Sequence, residues 1–201
     1  MSSWKAELER LESHLPPNPP QFHVHASLPV AILRYDPAQE WELRRQVTLL
    51  AGRFEARGRR LVRVSLADVF WACVQDHDPP DALATLIQVE REEGFEAAQR
   101  YCGKALNPNL RDRPDLVTFA QAVAERLARL DHERDIAFLV RAAVLGPWLY
   151  PVSSLVDNLQ GRVRVPTVLC YPGRRDGQTG LVFLDLPERE ALGSYRVIIY
   201  G

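Results

Sequence analysis

The chain has 201 residues, 46% of them hydrophobic and 25% charged, with a formal net charge of −1. That composition belongs to a soluble globular chain able to bury its own core, and it excludes whole-chain disorder. No apolar run reaches the ~20 residues that a membrane helix needs, and the near-neutral total implies no strong general attraction to nucleic acid or anionic lipid.

Residues 3–15 read as a short amphipathic helix with Trp4, Leu8, Leu11 and Leu15 on one face. Four prolines at 16, 17, 19 and 20 end it. Residues 1–20 are therefore expected to form a helical arm and linker, docked either on its own domain or on a partner, and 21–201 a single α/β domain. Val30–Tyr35 is a nearly continuous apolar run between Pro29 and Pro37, as expected of a strand buried on both faces. A helix over 37–57 follows, its apolar positions supplied by Trp41, Val47, Leu50 and Phe54, with Gly58 beyond its end. Leu61–Leu66 reads as a second strand, and strand–helix–strand at this spacing predicts a right-handed crossover in a parallel sheet. The stretch 67–131 reads as helical. Helices are expected over 68–75, over 81–92 with a weak continuation past Gly94 to 105, and over 115–130. Ile136–Leu145 reads as a central strand containing Arg141, and a short helix over 152–160 ends at Gly161. Val165–Tyr171 is a fourth strand. Gly180–Leu184 and Tyr195–Tyr200 are closely spaced and suggest an antiparallel edge pair. The expected fold is a three-layer α/β sandwich. Its mostly parallel sheet has five to six strands, an antiparallel C-terminal edge, and a helical subregion between strands 2 and 3.

The motifs of common chemistries are missing from this pattern. Cysteines stand at 73, 102 and 170, an odd number without C-x-x-C spacing, so neither a disulfide framework nor a zinc knuckle is indicated and a reducing cytoplasm is expected. Gly103-Lys104 lacks the first glycine and the Ser/Thr of a phosphate loop. No G-x-G-x-x-G follows the first strand, and no G-x-S-x-G elbow is present. His23 and His25 would share one side of a strand, but no third ligand lies near them in sequence. Lys5 and Lys104 are the only lysines, so 23 of the 25 basic residues are arginine, which reads as composition bias.

Two segments are less generic. Arg34, Tyr35 and Asp36 close the first strand, where an arginine in an apolar run demands a partner and Asp36-Pro37 suits a helix start. From Gly146 to Gly173 a helix lies between two strands. Tyr150 and Asn158 fall in this stretch, and it closes on Tyr171, Pro172 and Gly173, followed by Arg174. Ligands of parallel sheets bind beyond the carboxyl ends of strands, so the Tyr-Pro-Gly-Arg segment reads either as an ordinary Pro-Gly turn or as a terminal recognition loop, with Arg141 of the core strand a further candidate. Tyrosine and arginine are favoured at binding hot spots.

These residues carry a resemblance. Arg34-Tyr35-Asp36-Pro37, Leu149-Tyr150-Pro151, Leu155 with Asn158-Leu159-Gln160, Val165-Pro166 through Tyr171-Pro172-Gly173, and Tyr195 through Tyr200 are similar, in order and spacing, to the BrxB family of BREX (bacteriophage exclusion) defence systems. The resemblance implies a cytoplasmic accessory protein with no catalytic residues to transfer and no cofactor. Such a protein would act as an adaptor contacting other BREX components, chiefly the alkaline-phosphatase-like protein or the large ATPase, and would have no membrane partner. Two other readings stay open. One is a degenerate phosphate-loop-like nucleotide-binding domain. The other is a DNA-binding accessory making weak DNA contact if Arg57, Arg59, Arg60 and Arg63 converge with Arg162, Arg164, Arg174 and Arg175.

Overall fold

β1 (Val30–Tyr35) and β4 (Thr167–Asp176) are apolar on alternate residues of both faces, so they can lie only in the interior of a sheet covered twice. The computed structural model describes residues 4–15, 29–177, 180–186 and 197–201, with residues 147 and 148 by backbone alone. In it β2 (Arg60–Ser65), β3 (Asp135–Val140), β4, β1 and β6 (Ile198–Tyr200) lie side by side in that order, all parallel. A sixth strand, β5 (Gly180–Phe183), pairs antiparallel with the far half of β4. The fold is the expected α/β sandwich with a mostly parallel sheet.

The connections explain the layers. β1 leads through α2 (Glu40–Glu55) to the opposite end of the sheet, whereas β2, β3 and β4 follow one another back across it. Right-handed crossovers in opposite directions place their helices on opposite faces. One face joins Ala31, Leu33, Tyr35, Val168 and Cys170 to α2 and to α1 (Trp4–His14). The other joins Val30, Ile32, Leu169 and Tyr171 to α3 (Leu66–His77), α6 (Phe119–Ala128) and α8 (Val152–Leu159). The remaining helices, α4 (Ala82–Glu93), α5 (Phe95–Leu106) and the single turn α7 (Gly146–Leu149), form the subregion beside α3.

α1 docks on its own domain. Trp4, Leu8, Leu11 and Leu15 are buried with Leu43, Val47, Leu50 and Phe54 of α2. An 11-residue helix is marginal alone, and burial of such side chains stabilises it by about 1.5–3 kcal/mol each. Glu12 accepts from Arg53 at 2.8 Å and pairs with Arg57 at 3.3 Å. His14 Nδ1 lies 2.7 Å from the Tyr200 hydroxyl, and burial pushes that phenol up to about 12.

Several elements differ from the sequence reading. Trp41 is 79% exposed, because Leu43, Val47, Leu50 and Phe54 set the buried stripe of α2 and residue 41 falls on the far side. The helix over 81–105 is two helices, broken where Gly94 adopts φ 87°. The helix expected from 115 starts at Phe119, since the Thr118 side chain accepts from Gln121 N–H and fixes the start there. The third strand stops at Val140, so Arg141 lies beyond the strand and not within it. The last two strands do not pair with each other: β5 folds back on β4, and β6 runs parallel to β1. His23 and His25, the prolines at 16–20, and Tyr195 and Arg196 lie outside the described residues.

At the near edge of the sheet, Asp135 is wholly buried and accepts from Arg60 at 2.8 and 2.6 Å and from the Asp131 N–H at 3.0 Å. The Arg60 guanidinium holds its carboxyl below the usual range. Arg60→Ala should therefore destabilise by about 1–3 kcal/mol at neutral pH. A depressed carboxyl contributes its stability above the unfolded value of about 3.9 and loses it as pH falls through the folded value. The gap between wild type and variant should thus close below about pH 4, as read by denaturant midpoints across pH. Gly173 tests the other end. A Cβ there would sit 2.0 Å from the Val182 carbonyl oxygen, so Gly173→Ala should lower stability by about 1–3 kcal/mol in the same assay.

Candidate functional site

β1 and β4 are neighbours whose onward connections leave in opposite directions, which makes the end of this pair the switch point of the sheet. Register places Arg34 beside Tyr171 and Tyr35 beside Pro172. Alternation sends Arg34 and Tyr35 to opposite faces. The Tyr35 hydroxyl donates to the Glu40 carboxylate. Burial, reinforced by that carboxylate, pushes the phenol far above its ordinary range. Arg34 is half-buried, and its Nε is buried with no hydrogen-bond partner among the described residues.

The turn that leaves β1 at this switch point is capped by the protein's own groups. Asp36 Oδ1 accepts from the Ala38 N–H at 2.9 Å, Pro37 has no N–H to offer, and Glu40 and Glu42 open α2. A phosphate needs free backbone N–H groups and a positive helix end, and this turn supplies neither. β4 does not end in a recognition loop. It runs through Pro172 and Gly173 into the hairpin with β5, because Gly173 tolerates the close approach of the Val182 carbonyl. The Pro172 carbonyl accepts from Leu184 N–H at 3.0 Å. The Tyr171 hydroxyl donates to the Leu181 carbonyl at 3.4 Å, and its ring meets Phe183 edge-on at 5.3 Å. Arg174 is exposed on the hairpin, and Arg175 Nη2 donates to the Ile199 carbonyl at 2.5 Å, tying the hairpin to β6.

The other two sequence candidates lie elsewhere. Tyr150 is a core residue packed on Phe119 at 5.2 Å. Asn158 is on the outer side of α8, donating to the Ser154 carbonyl at 2.7 Å. Arg141 does share the strand-end rim with Arg34 and Tyr171. It holds a left-handed backbone, φ 61°, and its side chain is 3.7 Å from Asp68.

Arg141 also borders a feature that the sequence did not disclose. α2, the end of β2, the start of α3 and the end of β3 enclose a cleft of about 260 Å³. Leu43, Val47 and Val140 supply its apolar lining, and Arg44, Arg63 and Arg141 line it together with Glu40 and Asp68, Arg44 being paired with Glu40 at 2.9 Å along α2. The Arg44 guanidinium stacks 4.9 Å from the centre of the exposed Trp41 ring. The one sequence signal was that tryptophan, which stands off the apolar stripe of its own helix.

A family model described as BREX protein BrxB matches residues 62–198. The chain belongs to the BrxB family. No curated protein and no solved structure matches it. Family membership makes it a component of a BREX phage-defence system. The match runs from β2 to β6 and takes in Tyr150, Asn158 and Tyr171–Gly173, whereas Arg34–Asp36 precede it. Within this BrxB-family chain no described helix is long and apolar enough to cross a membrane. The second arginine group is split between the two ends of the sheet. Arg59, Arg60, Arg162 and Arg164 lie near the amino ends of β2 and β4, and Arg174 and Arg175 at the opposite end of β4. Arg57 and Arg60 are already paired with Glu12 and Asp135. The three cysteines are buried free thiols, and burial pushes Cys73 up to about 11, so a nucleophilic thiolate is disfavoured there.

A left-handed non-glycine residue is strained by about 1–2 kcal/mol. Arg141→Gly should raise stability by up to about 1 kcal/mol, because the ion pair it loses is exposed and long. Arg141→Val should lower stability, and differential scanning calorimetry on the pair checks the sign.

Proposed function

We propose that this BrxB-family protein is a non-catalytic adaptor of its BREX system, working in the cytoplasm through protein contacts with the alkaline-phosphatase-like protein or the large ATPase. The observation that carries this reading is the set of large apolar side chains held in solvent by well-formed helices. Trp41 on α2 is 79% exposed, Phe95 on α5 is 66% exposed, and Leu83 on α4 is 53% exposed. Aromatic and arginine side chains anchor protein interfaces, and Trp41 is already stacked on Arg44. The capped turn at the switch point supports the same reading. Where a doubly wound sheet would hold a small ligand, this one places its own Asp36 cap and the β4–β5 hairpin.

Co-expression of the full chain with each of the two components, followed by size-exclusion chromatography at physiological salt, is the test. Co-elution with at least one is the expected result. Separate elution from both would remove the adaptor reading.

A further inference from the structure

The two edges of the parallel sheet are unlike. β6 is three residues long and is tied to the hairpin through Arg175. β2 is six residues long and, among the described residues, pairs on one side alone, with β3. The Arg60 N–H donates to the Arg134 carbonyl at 3.0 Å, so the backbone groups of residues 60, 62 and 64 face β3, and those of Leu61 and Arg63 face outward. Among the described residues nothing hydrogen-bonds these outward groups. An uncovered edge of this kind is a template for another strand.

What the edge would accept is set by charge. β2 reads Arg-Leu-Val-Arg-Val-Ser, with two arginines and no acid. Pairing with a second copy would lay two arginine-bearing strands without an acid side by side, where like charges repel. Arg60 is neutralised by Asp135, but among the described residues the Arg63 guanidinium bonds only a neutral group, Thr48 Oγ1, at 3.2 Å. Arg63 is also one of the three arginines on the cleft beside α2, together with Arg44 and Arg141. Arg44 continues that surface outward to Trp41. Edge, basic rim and apolar cleft are thus adjoining parts of one surface.

We propose that the open edge of β2 receives an extended acidic segment of a protein partner as an added strand. Carboxylates on the segment meet Arg63 and Arg141, and an apolar side chain enters the cleft. This rests on the adaptor reading above, and it names the surface through which that contact is made.

The experiment uses the complex recovered by co-expression. Amide hydrogen exchange of the wild-type chain is compared alone and in complex, and the expected result is protection of the Leu61 and Arg63 amides on binding. Arg63→Glu, with unchanged circular dichroism, should weaken the complex at least tenfold, while Arg174→Glu on the distant hairpin should leave it intact. If the complex forms but these amides exchange as before, or if Arg63→Glu binds as wild type, the edge assignment is overturned and the adaptor reading survives. If wild type binds neither component, the adaptor reading fails first. Protection that rises with chain concentration in the absence of a partner would mean self-association, and would equally overturn the proposal.

Discussion

A strand with no wet face cannot exist at the surface. Residues 30–33 of β1 and 167–173 of β4 are buried throughout, and that single demand organises the molecule. It requires helices on both sides of the sheet, which the opposed crossovers deliver. It also gives α1 its place, because α2 alone leaves part of one face open and the Trp4–Leu8–Leu11–Leu15 stripe closes it. The buried polar residues Asp135 and Thr167 are both satisfied. The Thr167 hydroxyl donates to the Val165 carbonyl at 2.9 Å, and Asp135 is held by Arg60.

The same demand decides what was legible from residues alone. β1 was readable to the residue because six consecutive positions carry the signal and prolines flank it. β2, α1 and the order of helices were readable for similar reasons. The end of β3 was not. Ala142, Val144 and Leu145 continue the apolar composition, but they pack as a 3-10 turn after Arg141 turns the chain, and composition does not distinguish a buried strand from a buried turn. The partners of β5 and β6 were also hidden. Pairing is a long-range choice, and β6 finds a slot beside β1 that no local spacing encodes.

Of the site residues, Arg34 and Tyr171 were legible as strand-end positions, whereas Arg141 was read inside a strand that stops before it. Tyr150 and Asn158 were singled out by motif and turned out to be a core ring and a helix-surface amide. The arginine-rimmed cleft escaped notice because its walls come from α2, β2, α3 and the end of β3, segments as far apart as residues 40 and 141. Among the described residues the protein caps the turn after β1 and leaves exposed a tryptophan and the β2 edge.

The position of β1 has a consequence for biosynthesis. Its lateral partners are β4, beginning at residue 167, and β6, ending at residue 200. This apolar strand therefore has no strand beside it until residue 167 and beyond have been translated. Contacts of such sequence separation slow folding and prolong the exposure of sticky intermediates. The nascent protein is expected to depend on holding chaperones in the cell, whatever the stability of the finished fold.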